Sequence, residues 1–140
     1  MKTFNNNKIT FKFPSVWEVE KANIQNNPDC VATVAKGETN LLNVVQFPTA
    51  TTIEEFKPHM EDMFTEDGGV ILSSEIIEIA SKQAIYMHGN MDTVEINFDI
   101  HSFVFIENKN IYFFEFRTLD VTNETIEEFK NIVNTFEILK

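Results

Sequence analysis

The chain is poor in the residues that staple, cradle or activate. Among 140 residues it has one cysteine, Cys30, with four glycines and four prolines. A lone cysteine excludes an internal disulfide and any Cys-x-x-Cys pair, and it suits a reducing compartment. The glycines, Gly37, Gly68, Gly69 and Gly89, spell neither GxGxxG nor GxxxxGK[ST], which excludes the common phosphate-cradling loops. No serine sits in a G-x-S-x-G elbow. Positive charge is scarce as well, with 11 basic residues against 22 acidic ones and a net charge of −11. Lysine and arginine nowhere cluster, so phosphate backbones are repelled and neither nucleic acid nor an anionic membrane is expected as a partner. No apolar run approaches the roughly 18–20 residues that cross a bilayer. The opening MKTFNNNKIT lacks the apolar core of a secretion signal. The expectation is a cytoplasmic protein without a cofactor, whose partner is another protein.

What the chain does have is a core. Hydrophobic residues make up 43%, fourteen of them phenylalanine. A chain of this length buries about 68–70% of its unfolded surface, so a single domain over residues 1–140 is expected. The Asn-rich stretches at 5–7 and 26–29 read as an N-terminal tail and a turn. KITFKF alternates, with Ile9, Phe11 and Phe13 on one face. Further strands are expected at 31–36, 41–47, 70–79, 82–88, 93–106 and 110–118, with hairpin turns at 89–90 and 108–109.

The hexapeptide TIEEFK occurs twice, at 52–57 and 125–130. In each copy a threonine and a glutamate three residues on (Thr52 with Glu55, Thr125 with Glu128) have the spacing of a capping box. Apolar residues follow at helical spacing: Ile53, Phe56, Met60, Met63 and Phe64 in one, Ile126, Phe129, Ile132, Val133 and Phe136 in the other. The flanks do not match, so the repeat reads as one helix-start device used twice. Pro58 predicts a kink or a later start in the first helix.

A two-residue turn at 108–109 sets Ile106 opposite Ile111. One face of that hairpin then carries Ile96, Phe98, Ile100, Val104, Ile106, Ile111 and Phe113. The other carries Phe103, Phe105, Tyr112, Phe114 and Phe116. Both faces are apolar, so both must be covered. The two amphipathic helices supply the cover, which predicts an α+β fold: an α/β/α sandwich with an antiparallel sheet of six to seven strands.

FKFPSVW at 11–17, a strand leading through an aromatic–Pro pair to Trp17, resembles the opening of PsbP-like domains. The order of strands, helix, long hairpins and closing helix is similar, as is the ending NTFEIL. The superfamily includes the photosystem II protein PsbP, DcrB-like proteins and the Ran-binding Mog protein. The resemblance implies an α/β/α fold, a binding or assembly role without shared catalytic machinery, and Trp17 as a core anchor beneath a helix.

Candidate sites follow from side-chain patterns. If residues 90–91 form the turn of the preceding hairpin, His88 faces Thr93 and His101 lies about 26 Å away at roughly 3.3 Å per residue. His59 has no partner at helical spacing, so no metal site is expected. Glu95, Asn97, Asp99 and His101 share one strand face beside Tyr86 and His88. An Asp–His neighbour pair there can tune an imidazole for proton transfer, but no nucleophile accompanies it. A solvent-exposed half-face is therefore favoured over a ligand-binding or catalytic cleft. Glu115 and Arg117, on the face of Ser102, read as an ion pair at the sheet margin. Glu61, Asp62, Glu66 and Asp67 gather near a helix C-terminus, where negative charge costs about 0.3–1 kcal/mol each. That cost makes them the first choice for a protein-partner surface. The Asn123–Thr125 sequon reads as accidental.

Overall fold

The computed structural model describes residues 1–21, 28–92 and 97–139. The elements run β1 (Lys2–Asn5), β2 (Ile9–Phe13), β3 (Glu18–Glu20), β4 (Cys30–Lys36), β5 (Asn40–Pro48), α1 (Ile53–Glu66), β6 (Val70–Ile79), β7 (Lys82–Asp92), β8 (Asn97–Glu107), β9 (Asn110–Thr118), α2 (Asn123–Val133) and β10 (Glu137–Ile138). Seven strands form one antiparallel sheet, ordered β3-β4-β5-β9-β8-β7-β6, and a small sheet is ordered β1-β2-β10.

The β8–β9 hairpin lies at the centre of the large sheet. Asn108 and Lys109 take positive φ values of 53° and 61°, the left-handed pair that a tight two-residue hairpin turn requires. Ile106 accordingly faces Ile111, and Phe103 faces Phe114. Ile100, Val104 and Ile111 pack with Ile53, Phe56, Met60 and Phe64 of α1. On the other face Phe103, Phe105, Phe114 and Phe116 pack with Phe129, Ile132 and Val133 of α2, and also with Ile9, Phe11 and Phe13 of β2. The fold is thus the expected sandwich, with one refinement: the α2 face is closed by a helix and the three-stranded sheet together.

That small sheet corrects the N-terminal reading. Residues 2–5 are a strand paired with β2, Phe4 facing Phe11, and the Asn-rich stretch is the turn between them. Asn6 Oδ1 accepts from the backbone N–H groups of Lys8 and Ile9 at 2.9 and 2.8 Å. Trp17 is fully buried. Its ring meets Phe116 and Phe129 edge-on, and its indole N–H donates to Glu128 Oε1 at 3.2 Å.

The two hexapeptides behave differently. Thr52 caps α1, accepting from the Glu55 N–H at 3.2 Å. The helix then runs from Ile53 with Pro58 inside it, so the later start expected from that proline does not occur. In α2 the cap is Thr122, accepting from the Thr125 N–H at 3.2 Å. Thr125 therefore lies inside the first turn, where its hydroxyl donates to Asp120 Oδ2 at 2.9 Å. Glu128, freed from any capping role, accepts from both Trp17 and Lys36.

Residues 89–90 are not a turn. They continue β7, which extends to Asp92, and Gly89 pairs with both Ile71 and Ile100. A Cβ at Gly89 would fall 2.5 Å from the Phe64 ring, and one at Gly69 would fall 2.2 Å from it. Both glycines leave room for the aromatic ring that α1 lays directly on the sheet; at Gly89 this is the close approach that a glycine inside a strand permits.

Candidate functional site

The extension of β7 changes what its polar residues meet. Tyr86 faces Phe103, His88 faces His101 and Asn90 faces Asp99. The separation inferred from a turn at 90–91 is overturned: the two imidazoles stack with centroids 4.1 Å apart and planes 14° apart. His88 Nε2 lies 2.8 Å from Asp99 Oδ2, and Asn90 donates to Asp99 Oδ1 at 3.0 Å and to Asn97 Oδ1 at 2.7 Å. The Tyr86 hydroxyl meets His101 Nδ1 at 2.8 Å. Tyr86, His88, Asn97, Asp99 and His101 thus come together as one network, while Glu95 lies outside the described residues.

Nor is this half of the sheet solvent-exposed, as the alternation alone suggests. His101 is fully buried and Asp99 is 6% exposed. Phe129 of α2 closes against the His101 ring at 5.5 Å between centroids, and Lys130 Nζ lies 5.3 Å from the centre of the Tyr86 ring. Burial falls off towards His88 and Asn90, which are half-buried, and Asn97, which is exposed.

Burial sets the protonation states. It drives the His101 imidazole down to about 4, with help from His88 and Lys130 and opposition from Asp99. It pushes the Tyr86 phenol up to about 12, reinforced by Glu75 and Asp99. Burial also pushes the Asp99 carboxyl upward, but hydrogen bonds from Asn90 and His88 outweigh it and hold the group below the ordinary carboxylate range. At neutral pH His101 is a neutral imidazole, Tyr86 a neutral phenol and Asp99 an ionised carboxylate. It can bind a proton or a cation, but among the described residues no nucleophile completes it, because Ser102 belongs to the opposite face.

The acidic residues of α1 divide. Glu61 pairs with Lys57 at 2.8 Å, and that partner lowers its carboxyl from the usual value. Asp62, Glu66 and Asp67 are exposed, and the last turn of the helix carries no basic residue. Glu115 and Arg117 form an ion pair, Nε to Oε1 at 2.6 Å, and the guanidinium also lies 5.5 Å from the Phe98 ring centre.

These two groups flank a feature that strand and helix periodicity does not show. A groove of about 800 Å³ opens between α1 and the sheet. Met60, Met63 and Phe64 form its helical side, and Met87, Met91 and Ile100 are among its sheet residues. Four of the five methionines in the chain therefore line one groove. Asp67, Glu115 and Arg117 supply charge at its margin. Because Arg117 is already paired with Glu115, the unpaired excess is acidic. Met63 is 40% exposed. Its helical spacing suggests core, but it is set toward the open part of the groove.

No protein-family model and no curated protein matches the sequence. Solved structures do. Cyanobacterial PsbP (CyanoP) from Synechocystis sp. PCC 6803 is similar with a TM-score of 0.72 and 10% identity, covering 98% of this chain and 91% of that one. LpqN of Mycobacterium tuberculosis, a protein involved in cell envelope biogenesis, is similar at 0.65 and 9%, covering 94% and 83%. A protein from Bacteroides thetaiotaomicron VPI-5482 is similar at 0.71 and 12%, covering 99% of this chain but 48% of its own. The chain thus spans about half the length of that last protein. At these identities the likeness is one of fold.

Proposed function

We propose that this chain, which has the PsbP-like fold, is a non-catalytic binding domain that takes a basic, amphipathic segment of a partner protein into the groove between α1 and the sheet. The observation that carries this reading is the convergence of Met60, Met63, Met87 and Met91 on one groove of about 800 Å³. Thioethers are flexible and polarisable, so a methionine-lined surface adapts to apolar side chains of differing shape. Amphipathic helices dock into such grooves through apolar anchors at helical spacing.

Charge supports the basic character of the segment. Asp62, Glu66 and Asp67 crowd the negative end of the α1 dipole at a cost of about 0.3–1 kcal/mol each. Cations on a partner offset that cost and steer the encounter. The net charge of −11 acts in the same direction over the whole surface.

The test uses a labelled helical peptide of leucine and lysine, with its leucine–glutamate counterpart as control, followed by fluorescence anisotropy. The basic peptide should bind and the acidic one should not. Changing Glu61, Asp62, Glu66 and Asp67 to their amides should weaken binding most at low salt, where the Debye length is about 30 Å at 0.01 M. Unaltered binding in the amide variant, or equal binding of the acidic peptide, contradicts the proposal. Loss of binding only on Asp99→Asn would move the site to the polar network instead.

A further inference from the structure

The polar network contains an atom that none of the described residues answers. His101 Nε2 is buried and has no hydrogen-bond partner among the described residues. An imidazole nitrogen buried without a partner loses its hydration with nothing in return. Its other nitrogen, Nδ1, is engaged by the Tyr86 hydroxyl at 2.8 Å. When Nδ1–H donates to the phenol oxygen, the lone pair on Nε2 is free. That arrangement is the outer-shell device that orients histidines toward metals.

Two further donor residues stand beside His101. One ligand atom each from His88, Asp99 and His101 can be chosen so that all lie within 4.8 Å of one another. We infer that His88, Asp99 and His101 form a binding site for a divalent first-row transition-metal ion, of which zinc is the reference case. Two imidazoles and a carboxylate are the ligand set that such ions take, whereas calcium and magnesium prefer oxygen alone. Typical bonds of about 2.0–2.2 Å to nitrogen and carboxylate oxygen require the donors to draw together. His88 can supply that movement, because its side chain is 21% exposed against 7% for Asp99. The ion replaces the His88–Asp99 hydrogen bond, and a water completes a tetrahedral shell on the solvent side. The asymmetry gives each residue its role: His101 and Asp99 are fixed in the sheet, and His88 closes the site.

The site is separate from the groove, since His88, Asp99 and His101 face α2 while the groove lies under α1. Metal uptake and peptide binding are therefore separable properties of the two faces.

The experiment is equilibrium dialysis of the chelator-stripped protein against zinc, with cobalt absorption to report coordination geometry. The wild type should hold one zinc per chain, and its cobalt form should show the intense visible bands of a tetrahedral site. His88→Ala and Asp99→Asn should each lose that ion, with circular dichroism confirming that both remain folded. Tyr86→Phe, which removes only the orienting oxygen, should weaken affinity by roughly 10–100-fold without abolishing it. With 22 acidic residues the surface also offers loose metal sites. Equal uptake by His88→Ala, Asp99→Asn and wild type would therefore assign the ion to surface carboxylates and overturn the inference. So would the absence of stoichiometric zinc on folded wild type.

Discussion

His101 shows how burial converts one side chain into a pH-dependent term. Its folded-state pKa is pushed below the ordinary 6.5 to about 4. Between those values the unfolded chain binds a proton that the folded chain refuses, so stability falls as pH drops through that window. Below about 4 the folded form is protonated as well, and His101 adds no further loss. From pH 7 to pH 5 the expected loss from this residue is on the order of 2 kcal/mol. Chemical denaturation of wild type and His101→Phe, both in chelator, checks it. The variant keeps an aromatic ring beside Phe129 and should show a shallower slope between pH 4 and 6.5; identical slopes would contradict the account. The same residue marks a limit of sequence reading. Alternation correctly put Asn97, Asp99 and His101 on one face with Tyr86 and His88 as neighbours. It did not show who faces whom, because register depends on a turn, and Gly89–Asn90 mimics one. The glycine is there for the Phe64 ring, a tertiary cause that local spacing does not contain.

At the scale of elements, the repeated hexapeptide separates local from tertiary determinants. Thr52 and Thr122 both take extended backbone angles and accept from the N–H three residues on. Each should cost about 0.5–2 kcal/mol when changed to alanine, the usual range for a lost N-cap. Thr125 should instead be coupled to Asp120, which accepts its hydroxyl proton. A double-mutant cycle of Thr125→Ala and Asp120→Ala should show an interaction of at least about 0.5 kcal/mol. A neutral Thr122→Ala with no Thr125–Asp120 coupling would return the cap to Thr125. In the first copy the capping spacing was legible because TIEEFK is itself the helix start. In the second, VTNE precedes the copy and offers an earlier cap, so identical letters serve different places. The β8–β9 hairpin was legible for the opposite reason: its turn, its pairing and its two apolar faces all agree.

At the scale of the whole molecule, two faces of one sheet carry two kinds of chemistry. Under α2 the network of Tyr86, His88, Asp99 and His101 is largely buried, hydrogen-bonded and small. Under α1 the surface is open, rich in thioethers and edged with acid. The groove was not legible in the sequence because Met60 and Met63 have helix-core spacing, and Met87 and Met91 lay on either side of the supposed turn. Only the true length of β7 aligns them on one face. The acidic segment was legible from composition and helix polarity alone, yet its position beside an apolar groove required the fold. The most direct measurement is a methyl NMR titration of protein carrying ¹³C-methyl methionine with the leucine–lysine peptide. Met60, Met63, Met87 and Met91 should shift together and saturably, while Met1, which is not in the groove, stays in place. Shifts confined to Met1, or none at a peptide concentration that saturates the anisotropy signal, would contradict a binding site beneath α1.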